Sequence, residues 1–245
     1  MASPRAALVT GTRRIGGAIA RALADDGYDV AIAWRTSRAE AEAAADAVRV
    51  AGRRSVVLQA DLADPAACRG LVDAAAQALG GLSAVVLAAS RFDRIAIDAL
   101  DVTAWDAAMA VDLDASFHCA HAAIPHLRRA GSGHVVLFSD WVAASGRPRY
   151  RGYLPYYVAK RGVLALGEAL GLELAGEGIR VHVVAPGPIV PAAGSTPADQ
   201  AKVLAATPLG HWGGAEEVAR HVSGLLRSTF ITGEAVRVDG GRHLA

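Results

Sequence analysis

Thr10-Gly11-Thr12-Arg13-Arg14-Ile15-Gly16-Gly17-Ala18-Ile19-Ala20 follows directly on the apolar run Ala6-Ala7-Leu8-Val9, so a strand-like segment breaks at a glycine and a helix begins. A turn of this kind leaves the first helical amides free, and together with the helix dipole they suit a phosphate. Glycine also serves strand–helix turns for conformational reasons alone, so the neighbouring segments decide the reading.

Outward from this turn, short apolar or β-branched runs alternate with longer Ala-, Leu-, Arg- and Glu-rich stretches. The pattern predicts strands near 6–10, 29–34, 55–59, 84–88, 134–138, 180–184 and 235–238, and helices over 37–51, 64–79, 103–130, 156–176 and 215–227, with Thr103 or Asp64 as N-caps. The strands read as continuous apolar runs, as in a parallel sheet covered on both faces. The expectation is an α/β fold: a doubly wound, seven-stranded parallel sheet with helices on both faces. No internal repeat and no Pro/Gly/Ser-rich linker divides residues 1–245, so one domain is expected. The stretch 187–214, rich in Gly, Pro and Ala, follows a strand and is a candidate substrate lid.

The composition narrows the function. Of 245 residues, 53% are hydrophobic and 20% charged, and no apolar run reaches the length of a membrane span. The start leads straight into a strand without a signal-peptide pattern, so a soluble, cytoplasmic protein is expected. Cys68 and Cys119 stand far apart without metal-ligand spacing, which argues against a disulfide framework and a metal site. A net charge of +1 with dispersed arginines argues against nucleic acid as a partner.

The second strand runs out at Trp34 into Arg35-Thr36-Ser37-Arg38, with no carboxylate. An acidic residue at that strand end would hold a ribose 2′-hydroxyl, whereas arginine and hydroxyl groups suit a 2′-phosphate, so NADPH is expected over NADH. Asp61-Leu62, after the third strand, is placed either to contact an adenine or simply to cap its own loop.

Tyr156-Tyr157-Val158-Ala159-Lys160 puts a phenol and an ammonium on one helix face, a turn apart. A nearby ammonium stabilises phenolate and makes the tyrosine a usable proton donor or acceptor. Only two of the 25 basic side chains, Lys160 and Lys202, are lysines, so an ammonium at this position does not follow from generous lysine usage. Asp140, at the end of the strand Val135–Phe138, is a second candidate proton-handling group that would favour the protonated tyrosine.

With these residues assembled, the chain resembles the short-chain dehydrogenase/reductase family over nearly its whole length. The Thr10-Gly11 turn, Tyr156-x-x-x-Lys160, Pro186-Gly187 and Val238-Asp239-Gly240-Gly241 fall in the family's order. The resemblance implies a single-domain Rossmann fold, usually tetrameric, in which nicotinamide gives hydride, the tyrosine gives a proton, and the lysine also binds the nicotinamide ribose. It implies cofactor contacts at Gly11, Arg13, Arg14, Ile15, Arg35, Ser37, Asp61, Leu62, Ala88, Ala89, Ser90, Lys160, Pro186, Gly187 and Ile189.

Within the family the chain looks most like pteridine and dihydromonapterin reductases. Arg14-Ile15-Gly16, Asp140 in place of the usual serine, Ala89-Ser90-Arg91-Phe92 and Asp239-Gly240-Gly241-Arg242-His243-Leu244 carry this likeness. It implies NADPH-dependent reduction of a C=N bond in a flat heterocycle, with Arg14, Phe92, Trp141 and Tyr156 at the substrate. Two alternatives stand beside it: a carbonyl reductase on an oxoacyl, sugar or polycyclic ketone, and a nucleotide-binding protein that lost the chemistry. Three departures matter. The glycine turn is one residue short, with Arg14 at its central glycine; Ala88 and Asp112 each replace an asparagine.

Overall fold

The computed structural model describes residues 5–192 and 194–245, with Arg14 described through its backbone alone. Seven strands form one parallel sheet: β1 (Ala6–Thr10), β2 (Asp29–Trp34), β3 (Ser55–Gln59), β4 (Ala84–Leu87), β5 (Gly133–Phe138), β6 (Ile179–Pro186) and β7 (Glu234–Val238). Their order is β3-β2-β1-β4-β5-β6-β7. The order reverses between β1 and β4, where Leu8 pairs with Ala31 on one side and with Val85 on the other. In such a sheet the crevice beyond the carboxyl ends at the reversal is the ligand site.

The apolar strand runs have a direct physical reading. Ala6 and Leu8 face one core while Ala7 and Val9 face another, and all four are fully buried. With successive side chains pointing to opposite faces, a strand covered on both sides needs an apolar residue at every position. Helices α1 (Gly17–Asp25), α2 (Arg38–Val50) and, late in the chain, Ala215–Arg227 cover the Val9 face through residues such as Ile19, Leu23, Val48 and Val222. The opposite face is covered by α3 (Pro65–Leu79), Ala115–Arg129 and Leu154–Leu174, through Leu71, Val72, Cys119 and Val163. Among the described residues, no helix is long and apolar enough to cross a membrane.

Three local readings need correction. The stretch expected as one helix over 103–130 is α4 (Val102–Met109), a π-turn (Ala110–Asp114) and α5 (Ala115–Arg129). Its N-cap is Asp101, not Thr103: the Asp101 carboxylate accepts from Ala104 N at 2.7 Å. Asp64 does cap α3, accepting from Ala66 N at 2.9 Å. After the short α6 (Trp141–Ala144) and α7 (Leu154–Leu174), the irregular stretch 187–214 contains α8 (Pro197–Ala205), opened by a capping box between Thr196 and Asp199. No α8 residue is buried, so apolar periodicity gave no sign of it. The last helix is α9 (Ala215–Arg227). The two ends of the 187–214 stretch are tied together, Gly213 N donating to Pro188 O at 3.0 Å and Gly214 N to Ile189 O at 2.9 Å.

His134 on β5 and His182 on β6 form a buried pair, Nδ1 of one 3.1 Å from Nε2 of the other. Burial, with Arg180 beside them, pushes His134 down to about 3 and His182 to about 4. Both rings are therefore neutral in the folded protein and take up protons only on unfolding as pH falls below about 6.5. Folding stability is expected to fall as pH drops from about 6.5 toward 4, at about 1.4 kcal/mol per pH unit for each histidine that titrates. Denaturant midpoints measured at pH 7 and pH 5 test this: H182L should lose less stability over that interval than the parent, and an equal loss would assign the acid sensitivity elsewhere.

Candidate active site

The glycine turn lies at the carboxyl end of β1. Gly11 has φ +78°, and a Cβ there would stand 2.4 Å from Ala88 O, so only glycine lets the loops after β1 and β4 close on each other. Ala89 N donates to Thr10 Oγ1 at 3.2 Å across the same gap. The turn that is one residue short is wound as a π-turn, Thr12–Gly16, running into α1 without an acidic residue in its first turn. Thr12 Oγ1 is buried there with no hydrogen-bond partner among the described residues. An orphaned hydroxyl, a glycine-only contact and free helical amides fit a phosphate-bearing dinucleotide. Arg13 is exposed and Ile15 half-buried; the side chain of Arg14, expected at phosphate and substrate, lies outside the described residues.

At the end of β2, Arg35 is about half exposed, and its Nη1 stands 3.9 Å from Asp61. Ser37 opens α2 without a capping bond, and Arg38 lies 5.9 Å from the centroid of the Trp34 ring. No carboxylate of β2 itself faces this corner. Asp61 also accepts from Ala63 N at 3.1 Å, so its carboxylate is engaged with its own loop and Arg35, while Leu62 packs against the core.

Tyr156 and Lys160 project from the first turns of α7 toward the ends of β4 and β5. The Tyr156 hydroxyl donates to Asp140 Oδ2 at 2.9 Å. Asp140 caps α6 with its other oxygen, which accepts from Val142 N at 2.7 Å. Burial pushes the Asp140 carboxyl up, against the opposing effects of Val142, Tyr156 and Lys160. The neighbouring Ser139 is turned away: its hydroxyl donates to Lys160 O at 2.8 Å. The carboxyl, not the serine, is therefore the phenol's partner.

Lys160 is 2% exposed. Its Nζ donates to Phe138 O at 3.0 Å, lies 3.6 Å from Asp112 Oδ1 and stands 5.7 Å from the centroid of the Tyr156 ring. Burial pulls the Lys160 pKa down, with Asp112 and Asp140 holding it up. Asp112 sits in the π-turn after α4 and also accepts from Arg91 N at 3.2 Å and from the Ser90 hydroxyl. The family resemblance implies an asparagine here that supports the lysine through water; in this chain a carboxylate stands at the position, 3.6 Å from the ammonium.

Phe92 stacks on Tyr153 with centroids 4.8 Å apart and meets Tyr156 edge-on at 4.9 Å. Its φ of +56° is unusual for a bulky residue. Trp141, expected to touch substrate, does not offer a face to the cleft. It is 5% exposed, with the guanidinium groups of Arg149 and Arg242 each 5.6 Å from its ring. Gly187 lies against the C-terminal turn, where a Cβ would stand 2.6 Å from that of Asp239, and Gly187 N donates to Val238 O at 2.9 Å. Ile189 is buried behind it. The sequence reading missed Arg149, Tyr150 and Tyr153, which share the cleft wall with Tyr156; the run Arg147-Pro148-Arg149-Tyr150-Arg151 was the available signal.

A buried lysine paired with a tyrosine, beside a glycine turn at a sheet's reversal point, is a nicotinamide-reductase arrangement, and comparison with known proteins agrees. A family model described as enoyl-(acyl carrier protein) reductase, of the short-chain alcohol dehydrogenase type, matches residues 9–243. The 3-oxoacyl-(acyl-carrier-protein) reductase FabG of Staphylococcus aureus is 32% identical over 249 residues, covering 100% of both chains. The cis-4-hydroxycyclohexanecarboxylate dehydrogenase of Sinomonas cyclohexanicum is 35% identical over 97% of this chain and 96% of its own. A short-chain dehydrogenase from Burkholderia cenocepacia, solved in complex with NADP, superposes with a TM-score of 0.90 at 34% identity over 99% of this chain and 98% of its own. The chain belongs to the short-chain dehydrogenase/reductase family and is an NAD(P)-dependent oxidoreductase.

Proposed function

We propose that the protein reduces a ketone carbonyl with NADPH, Tyr156 donating the proton to the carbonyl oxygen. The observation that carries the reading is the hydrogen bond from Tyr156 to Asp140, with the buried Lys160 ammonium against the same ring. The relatives named as an oxoacyl reductase and a hydroxycyclohexanecarboxylate dehydrogenase favour a carbonyl over the C=N bond suggested by the likeness to pteridine reductases.

When bound, NADPH supplies the hydride. The turn Gly11–Ile15 would hold its phosphates, Arg35 and Ser37 its 2′-phosphate, Ala88–Ser90 and Pro186–Ile189 the nicotinamide side, and Lys160 the ribose. Tyr156 places its O–H at the substrate oxygen, and the Lys160 ammonium stabilises the phenolate left behind. Once the Tyr156 O–H turns from Asp140 to the substrate, an Asp140 carboxyl that burial pushes toward its protonated form would return a proton to the Tyr156 oxygen and take its replacement from solvent.

The second reading, reduction of a flat heterocyclic imine, is favoured by Phe92, whose ring lies beside the phenol, and by Asp140 itself. NADPH oxidation followed by absorbance against oxoacyl thioesters, cyclic ketones and dihydropterins separates the two. Ketone turnover is expected; turnover of dihydropterins alone would replace the carbonyl reading with the second one.

Y156F is expected to lower kcat about 10²–10⁴-fold, the usual contribution of a positioned general acid, with NADPH affinity retained in fluorescence titration. If Asp140 is the proton reservoir, reductive activity declines as pH rises through its raised pKa, and D140N removes that limb of the kcat profile; identical profiles would leave Asp140 only a helix cap. R35A should weaken NADPH binding about tenfold or more, the scale of one lost charge-assisted hydrogen bond, and leave NADH binding nearly unchanged. Equal weakening of both would remove Arg35 from the 2′-phosphate.

A further inference from the structure

The cleft beside Tyr156 holds a cation that the chemistry above does not use. Arg149 lies on the loop between α6 and α7 and lines the cleft with Asp140, Tyr150, Tyr153 and Tyr156. Its Nη1 donates to a main-chain oxygen of Ala245 at 2.6 Å, and its Cζ stands 5.6 Å from the centroid of the Trp141 ring. Its Nε and Nη2 are shielded from solvent and have no hydrogen-bond partner among the described residues. Burying guanidinium N–H groups without acceptors is unfavourable, and Arg149 is the one cleft-lining side chain with two such nitrogens among the described residues.

The geometry of these two nitrogens suits one class of ligand. Nε–H and Nη2–H share one edge of the guanidinium plane, pointing in parallel at the spacing of the two oxygens of a carboxylate. The Arg149 Nη1 is held by the Ala245 oxygen, and among the described residues no aspartate or glutamate side chain pairs with the guanidinium. Between Asp140 and Glu168 the chain carries Arg147, Arg149, Arg151, Lys160 and Arg161 and no acidic residue. Asp140 itself is engaged by Tyr156 and Val142. Arg91, on the facing loop, is paired with Asp93 at 2.6 Å, which leaves Arg149 as the cleft's uncommitted donor edge among the described residues.

We propose that Arg149 receives a carboxylate of the substrate side-on, so that the compound reduced beside Tyr156 is an oxo acid whose ketone and carboxylate are held by different residues. The inference rests on the carbonyl reading for its ketone and on Arg149 alone for its anion. Trp141 gains a role as the aromatic neighbour of the guanidinium, which explains why the sequence places an aromatic residue there without exposing it.

The test compares 3-oxocyclopentanecarboxylate with its methyl ester as substrates of the full chain with NADPH. The acid is expected to exceed the ester at least tenfold in kcat/KM, mainly through KM, and in R149M that ratio falls to near one, with R149K intermediate because an ammonium cannot make the two-point contact. Calorimetric titration of the NADPH complex with cyclopentanecarboxylate supplies a readout independent of turnover. Binding that weakens at least tenfold in R149M upholds the anion site even if neither ketone is reduced, an outcome that removes only the carbonyl reading. An acid-to-ester ratio unchanged by R149M, or carboxylate binding equal in the two proteins, overturns the proposal. Tighter binding of inorganic phosphate than of the carboxylate at the same arginine overturns it as well.

Discussion

An ammonium enclosed by protein persists only where carbonyls and carboxylates replace its water, and the site is arranged around meeting that demand for Lys160. Phe138 O ends β5, Asp112 stands in the π-turn after α4, and the Tyr156 ring comes from the preceding turn of α7. Three elements remote in sequence thus converge on one nitrogen. The π-turn is part of this constraint. It replaces a regular helical turn at Ala110–Asp114 and holds a 1%-exposed aspartate there, beside the ammonium and the Ser90–Arg91 loop. Moving any of the three would leave a buried charge without its partners, so the geometry of the phenol follows from the electrostatics of the lysine.

The sheet and its position were legible in the sequence because a strand covered on both faces admits almost no polar residue. Seven short, mostly apolar runs therefore carried both the number of strands and their parallel arrangement, although His134, Arg180, His182 and Arg237 interrupt three of them. The glycine turn was legible for a steric reason, since Gly11 meets Ala88 O where no side chain fits. Tyr156 and Lys160 were legible from their four-residue spacing against a background of arginine.

What was not legible depended on contacts between segments rather than on local pattern. The π-turn at 110–114 differs from a helix by hydrogen-bond register, which composition does not encode. Helix α8 buries nothing and so has no period to detect; its capping box was its one signature. The likeness to pteridine reductases implied a place for Trp141 at the substrate, whereas the fold brings Arg149 and Arg242 over its ring. Arg149 itself looked like one of many surface arginines. Only its position on the cleft wall, with two shielded nitrogens, distinguishes it from Arg147 and Arg151 on either side.

The preference for arginine elsewhere makes the choice at position 160 informative. A guanidinium offers five donors in a rigid plane and needs acceptors arranged in that plane, as Arg149 shows by leaving the three N–H groups of Nε and Nη2 without a partner among the described residues. An ammonium offers three donors on a flexible stem. At Lys160 one is met by Phe138 O and another is directed to Asp112, which leaves a third for the phenolate or a ribose hydroxyl. An arginine in that space would leave more buried N–H groups than acceptors and could not sit as a compact charge against the tyrosine. The two aspartates divide along the same line. Asp112, supplied with donors from Ser90, Arg91 and Lys160, fixes the charge in place. Asp140, facing the phenol in a setting where burial favours its protonated form, is the one suited to hold a proton next to Tyr156. One ammonium with a carboxyl on either side thus separates the task of holding charge from that of moving a proton.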